Sequence, residues 1–582
     1  MNNIKHNIFL YILIGVAATM LYSCKKSYET IPLGQQTNLT LAFDPKDSLG
    51  TEAMEFLLNV YNEAVPYGYN RLSGNFLDAA SDDAISSASG IPDIQKIATG
   101  AFSTASPNVD NVWSSYYTAI RSATVFIVYI NRVPLAEKLP NGNPARPAYR
   151  SEARFLRALM YFELLKRYGG VPLLGDSIRQ ITDNVQLPRN SFADCVNYIV
   201  NECTNITDSL RTQSQVTPSN YGRVTQGAAL ALKARVLLYA ASPLFNGGNI
   251  DPANPLTGYT NYDVNRWKLA ADAASSLISL GTYKLMPKFS DAFITQATPI
   301  GSNTEMIFWR QGGSNISVEQ NNGPIGYTSA GGNGITSPTQ NLVDAFPTDS
   351  GKVITDAGSN YDPNNPYNHR DPRLKMTVMY NGFLWLNRAV QTFDGGLDKP
   401  GGVIQQTKTS YYLRKFMGAF ESVSGSAIYS NTYHDFISLR YADVLLNYAE
   451  ATNEFSGPTQ DVYNVIYALR NRAGIFPGAG NNYGLKQGMS QAEMRTVIQN
   501  ERRVELAFEE QRFFDIRRWK IASKVYGSSL TGMDIQQATN GQIFYNVIPV
   551  LTPVFRDPQM YLYPIPYTEV IMNPSMKQNP SW

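Results

Sequence analysis

A mostly α-helical fold, built from successive helix pairs around a large core and interrupted by one loop-rich segment, is what this sequence predicts. Apolar residues recur at helical spacing through several stretches that lack interior proline. Turn residues such as Gly169-Gly170 and Pro172 punctuate them. Between about residues 301 and 430 the texture changes to Gly, Asn, Ser, Pro and Tyr, as in "RQGGSNISVEQNNGPIGYTSAGGNGITSPTQN". Long irregular segments inside a folded domain usually carry function.

The chain begins with Lys5 and then the mostly apolar run from Ile8 to Tyr22, the order of a secretory leader. A spanning helix needs about 20 predominantly apolar residues, and this run is shorter. It closes on Leu21-Tyr22-Ser23-Cys24, which resembles a bacterial lipobox and predicts that Cys24 becomes the acylated first residue of the mature chain. Each buried acyl methylene adds about 0.8 kcal/mol of membrane affinity, so the chain is expected to be anchored and not spanning. Residues 24–50 then form a lipidated tether and N-terminal extension. Residues 51–582 form one domain, with helical scaffold at 51–300 and 431–520, the loop-rich insert at 301–430 and C-terminal turns at 521–582.

Helices are expected at Thr51 to Glu63 and at Asn111 to Val133. The clearest is "SEARFLRALMYFELLKRYGGVPLL", residues 151–174, where Phe155, Leu156, Leu159, Met160, Phe162 and Leu164 form a wide apolar stripe and Glu163 and Arg167 pair at i, i+4 on the exposed side. Phe192 to Leu210, the alanine-rich segment 222–246 and Trp267 to Leu280 follow. A succession of antiparallel helix pairs is a helical repeat architecture, although the units share no strict sequence period. Helix returns at 437–454, at "VYNVIYALRNRAG" and across Met489 to Lys520, and the chain closes in short turns.

Composition excludes several functions. The 49 basic and 47 acidic side chains, Lys5 of the leader among the former, leave no electrostatic appetite for nucleic acid. Cys195 and Cys203 stand eight residues apart on one expected helix, a rise of about 12 Å, too far for a disulfide. Three histidines, one of them in the leader, and no Cys or His cluster make a zinc site improbable. "YDPNNPYN" offers oxygen ligands without the spacing of a calcium loop, so no cofactor is expected, a structural calcium ion being the alternative. His369 and Asp371 in "HRDPR" read as a turn, with Asp371 bonding nearby backbone N–H groups. No nucleophile elbow and no phosphate-binding loop occurs.

The carboxylates of "ERRVELAFEEQRFFDIRRW", residues 501–519, are numerous enough to suggest glycoside hydrolysis. They repeat at i+4 among arginines, however, as in a charge-laced helix. Tyrosine at 36 and glycine at 43 residues, with many Asn, point instead to loops carrying amphipathic rings and amides, the chemistry of neutral polar ligands.

The stretches "EARFLRALMYFELLKRYGGVPL", "GRVTQGAALALKARVLLYAASPLFN", "LRYADVLLNYAEA", "LRNRAG", "ERRVELAFEEQRFFDIRRWK" and the terminal "PIP" with "NPSMKQNPSW", together with the lipobox, run almost end to end. In this order they resemble the SusD/RagB family of nutrient-binding outer-membrane lipoproteins. The resemblance implies a SusD-like fold with tetratricopeptide-like helix pairs as scaffold and loops on one side as the ligand surface. It implies a surface-exposed, lipid-anchored protein of the outer membrane, not an enzyme, partnered by a SusC-like TonB-dependent transporter barrel. The usual ligands are oligosaccharides, and some members bind peptides. A surface glycosidase is the reading from a different class. The lysines of "CKKSYET" depart from the acidic residues that commonly follow the cysteine in surface-exposed members.

Family ligand surfaces draw on the loop before the third helix and on the middle insert. Here these are "YGYNRLSGNF", residues 67–76, and Gln311 through Tyr327. Tyr67, Tyr69, Trp309, Tyr327 and Trp385 are the expected stacking rings. Asn70, Arg71, Asn321 and Asn322 are the expected hydrogen-bonding partners. Trp309 follows the apolar "EMIF" and leads straight into the Gly/Asn segment, while Trp385 sits in "MYNGFLWLNR" between turn-forming residues.

Overall fold

Apolar spacing becomes helix where the sequence shows it. Helix α1 (Thr51–Ala64) buries Ala53, Leu57, Val60 and Ala64 on one stripe. The computed structural model describes residues 38–180, 182–183, 186–294, 302–402, 405–421 and 427–582, so the leader, Cys24 and the tether up to residue 37 lie outside the described residues. After α2 (Trp113–Tyr129) comes α3 (Arg146–Tyr168). It starts earlier than the periodicity alone suggests because Pro147 sits in its first turn, where a missing N–H costs nothing. It stops at Gly169, whose φ of +76° and close approach to the Leu256 carbonyl leave no room for a side chain.

Helix α4 (Phe192–Ile206) opens on a capping box between Ser191 and Asp194, and α5 (Gln226–Ala241) and α6 (Asn265–Ile278) follow. Each of these helices packs on its neighbours in the chain, α2 on α3, α3 on α4, α4 on α5 and α5 on α6. Buried alanines at 228, 229, 231 and 234 let α5 pass close to its neighbours. Helix α7 (Tyr441–Ser456) then returns to pack on α6 and carries α8 (Gln460–Ala473) and α9 (Gln491–Glu505). Cys195 and Cys203 are both buried and unpaired on α4, and burial pushes both thiols up to about 12.

The structure differs from the sequence reading in four places. Residues 437–440, expected to open a helix, belong to a strand, because Phe436–Arg440 pairs with Met306–Arg310. The segment 489–520 is not one helix but α9, a turn in which Phe508 and Glu510 take positive φ, and α10 (Arg512–Arg518). Its charges are not on a solvated face. Glu505, Arg502 and Arg518 are at most 1% exposed and sit in buried ion pairs with residues distant in the chain. Likewise Arg167 pairs with Glu163 at 2.5 Å, as the spacing implies, but is buried. The fourth difference is a hairpin near the C-terminus, where turns were expected: Leu530–Gln537 pairs antiparallel with Ile543–Leu551.

One continuous apolar core runs from α1 into the insert, where Val378, Trp385, Tyr411 and Leu413 are fully buried. The insert is therefore part of the core as well as of the surface. Among the described residues no helix is long and apolar enough to cross a membrane. Asp371 accepts the Arg373 backbone N–H at 2.9 Å, the turn expected of "HRDPR".

Candidate functional site

The two loops nominated from sequence meet beside the end of α1. Val65 turns extended after Ala64, and Pro66 leads to Tyr67. Tyr67 is held at its rim without being covered. Its hydroxyl donates to the Gly312 carbonyl at 3.2 Å, and the Arg310 guanidinium lies 5.1 Å from its ring centroid. Arg310 is fixed in turn by donating to the Val65 carbonyl at 2.7 Å and to Asn62 Oδ1 at 2.9 Å. The tyrosine nevertheless remains 63% exposed. Such a ring is preorganised, having little side-chain freedom left to lose on contact.

Facing it, β1 (Met306–Arg310) runs through Gln311-Gly312-Gly313 into β2 (Ser314–Asn315), which pairs with β3 (Thr432–Tyr433) so that Ser314 opposes Tyr433. Only glycine fits at 312, where a Cβ would overlap the His434 carbonyl oxygen. The Gly312 N–H donates to Asp435 Oδ1 at 3.1 Å. Burial pushes the Asp435 carboxyl above its ordinary value, partly offset by that amide and by His434. The strip is pinned from behind. His434 Nε2 lies 2.9 Å from Glu319 Oε2 and its Nδ1 3.0 Å from the Phe416 carbonyl, while Glu319 also accepts from the Gly418 N–H and the Thr432 hydroxyl. Beyond the pair, β4 (Phe436–Arg440) returns the chain along β1.

The result is a small depression of about 20 Å³ lined by Tyr67, Asn70, Gly312, Asn315, Ser317 and Asp435, with Tyr433 emerging at 50% exposure next to it. Flat rings, amides and a hydroxyl suit a ring with one C–H face and a belt of hydroxyls.

Most of the nominated residues do other work. Tyr69 is 4% exposed, stacks on Phe416 at 4.2 Å and donates to the Ile437 carbonyl, so it is the floor of the depression and not a platform. Arg71 turns inward, bound to Asp110 and Glu510 at 2.7 Å each. Trp309 is buried on β1, edge-on to Tyr221. Tyr327 is buried under Arg388, 3.8 Å from its ring, and donates to the Arg388 carbonyl. Trp385 is 0% exposed, donates to the Tyr429 hydroxyl at 3.1 Å and lies edge-on to Phe420. Asn322 is buried, its amide oxygen accepting from the Thr336 N–H and its nitrogen donating to the Gly74 and Val318 carbonyls. Asn321 is half-buried beside Gly74.

Of the nine, Tyr67 and Asn70 line the depression and Tyr69 forms its floor. Tyr433, Asp435 and His434 were missed. Nothing in "NTYHDF" marks them, since its two apolar rings, Tyr433 and Phe436, stand three residues apart and show no strand alternation. A second, more apolar groove between Trp113, Tyr117, Leu174, Ile178, Met572 and Met576 contains none of the nominated residues.

Residues 296–582 match the SusD family model, and residues 50–238 match a SusD-like model described as starch-binding associating with outer membrane. The chain belongs to the SusD/RagB family. A SusD-like protein P2 of Formosa agariphila is 34% identical over 145 residues, a quarter of this chain and a quarter of that relative's length. The crystal structure of a SusD-like protein from Bacteroides fragilis is 26% identical, with a TM-score of 0.73 over 94% of this chain and 100% of that one. A laminarin-binding SusD-like protein, 20% identical, shares the fold at a TM-score of 0.60 over 91% of this chain and 99% of that one. The SusD-like fold, helical scaffold included, is thus the fold of this chain.

Proposed function

We propose that this SusD/RagB-family chain is a non-catalytic, lipid-anchored protein of the outer membrane that captures oligosaccharides at the cell surface and delivers them to a SusC-like TonB-dependent transporter barrel. The observation that carries the ligand class is Tyr67, an exposed ring pinned at its rim beside a glycine strip, two asparagines and a serine. The matched description of starch binding at the outer membrane supports the same reading, as does the laminarin-binding relative in fold. Tyr67 and Tyr433 would stack on sugar faces, and Asn70 and the Ser317 hydroxyl would bond sugar hydroxyls, while Asn315 holds the loop by donating to the Gly312 and Gly313 carbonyls and accepting from the Ser317 N–H. No cofactor takes part. The anchor is Cys24.

The test is isothermal titration of the chain beginning after Cys24 against plant, host and microbial oligosaccharides and a mixed peptide digest. Covering one face of Tyr67 removes about 60 Å² of apolar surface, at about 25 cal/mol per Å² some 1.5 kcal/mol. Tyr67→Ala is therefore expected to weaken glycan binding about tenfold. Heat from peptides alone, or full affinity in Tyr67→Ala, overturns the ligand class or the site respectively. Product release by the purified protein overturns the non-catalytic assignment.

A further inference from the structure

Among the described residues, the C-terminal hairpin of β5 (Leu530–Gln537) and β6 (Ile543–Leu551) is a two-stranded sheet with one edge of β6 open. Its register opposes Ile535 to Tyr545 and Met533 to Val547. The Ile535 carbonyl accepts from the Asp394 N–H at 2.9 Å, and the Met533 N–H donates to the Thr409 carbonyl at 2.9 Å. Those groups of β5 therefore face away from β6. In an antiparallel pair, opposed residues that do not bond each other both turn their backbone groups outward. Tyr545 and Val547, and by the same alternation Ile543, thus present N–H and C=O on the far edge of β6. Ile543 and Tyr545 pack toward the core side with Met533 and Ile535, whereas Val547 is 57% exposed, and Phe544, Asn546 and Ile548 face solvent.

Exposed edges are normally blunted by charge, by cover or by distortion. Residues 535–555 carry no charged side chain, and Phe544, Val547, Ile548 and Val554 are between 37% and 57% exposed. The ends of the open edge are nevertheless defined. Pro549 has no N–H to offer, and the Gly541 N–H is already donated to Ala538 inside the turn.

We propose that this edge pairs with the same edge of a second copy of this chain, antiparallel about a two-fold axis at Tyr545. In that register Ile543 opposes Val547, Tyr545 opposes Tyr545, and every free donor meets a free acceptor. Shifting it by one pair sets Pro549 opposite Ile543 and leaves a carbonyl without a donor. A neutral edge meets its own copy without like-charge repulsion, and an isologous contact of this kind closes on itself as a dimer.

The same register sets Phe544 of one copy opposite Asn546 of the other, in the closely spaced class of pair with Cα atoms about 4.5 Å apart. Phe544→Cys and Asn546→Cys chains, carrying different tags and co-expressed at full length, are oxidised in intact membranes. A disulfide-linked heterodimer much more abundant than either homodimer is expected, and adding Val547→Pro, which removes one outward N–H and no hairpin bond, is expected to abolish it. Binding to an oligosaccharide or a circular dichroism spectrum unchanged from the parent shows that the proline variant is folded. Absence of the crosslink, equal homodimer formation, survival of the crosslink in a folded Val547→Pro chain, or capture of a different protein at these cysteines overturns the proposal.

Discussion

Removing one charge from the buried ion cluster beneath the insert is expected to cost far more than any surface change. Glu505 is 0% exposed and accepts from Arg440 at 2.8 Å, from Arg373 at 2.9 Å and from Arg472. Through shared partners the cluster extends to Arg470 and Lys415 as cations and to Glu305, Glu501, Glu509 and Asp371 as anions. Among the described residues it therefore joins five cations to five anions and is neutral as a whole. The flanking arginines hold the Glu505 carboxyl well below the usual carboxylate range, against the opposing effect of burial. Glu505→Gln keeps the shape and leaves one uncompensated positive charge, a loss of about 3–5 kcal/mol for a buried pair broken on one side. Urea denaturation followed by circular dichroism reads it. Arg472→Met added to Glu505→Gln restores neutrality, so the double variant is expected to be more stable than the sum of the two single losses. A Glu505→Gln loss below about 1 kcal/mol, or strict additivity, refutes the claim that charge balance holds this cluster.

Trp385→Ala is expected to cost about 3–5 kcal/mol of stability while leaving the affinity of the folded protein for a glycan unchanged, since Trp385 is fully buried; paired thermal melts and titrations separate the two. Gly312→Ala is expected to weaken ligand binding at least as much as Tyr67→Ala, because the added methyl drives the strip off the His434 carbonyl, again by titration. The Glu163 carboxyl is pushed down to about 2, Lys166 and Arg167 overcoming its burial. A lowered carboxylate contributes stability above its unfolded value and loses it as pH falls through the folded one. Up to about 3 kcal/mol is therefore expected to disappear between about pH 5 and pH 2, and Glu163→Gln is expected to flatten that part of the stability–pH curve, checked by denaturant titration at each pH.

How much of this was legible in the sequence depends on how local each determinant is. The pairs from α1 to α6 were readable because helical periodicity, Gly169 and the alanines of α5 act within a turn or two. Residues 437–440 were not, since a short apolar run suits helix and strand alike until a partner strand 130 residues away is placed beside it. The hairpin did carry a local signal, Asn540-Gly541 ahead of the β-branched run at 543–551.

The arginines and glutamates of 501–519 have the spacing of a solvated helix, and their burial follows only from partners such as Asp82, Arg373 and Glu450 elsewhere in the chain. The same argument separates the nominated rings. Tyr67, Tyr69, Tyr327 and Trp385 all sit among glycines, asparagines and other turn formers, and nothing in those neighbours says which ring will be covered, whereas the apolar "EMIF" before Trp309 does point to its burial. Covering is done by Phe416 over Tyr69, Arg388 over Tyr327 and Phe420 against Trp385, each brought from another part of the fold. Tyr67 keeps 63% of its surface exposed, the Arg310 guanidinium standing 5.1 Å from its ring centroid while it donates to Val65 and Asn62. A loop can thus be nominated from composition, but whether its ring is platform or floor is settled by chain segments that composition does not see.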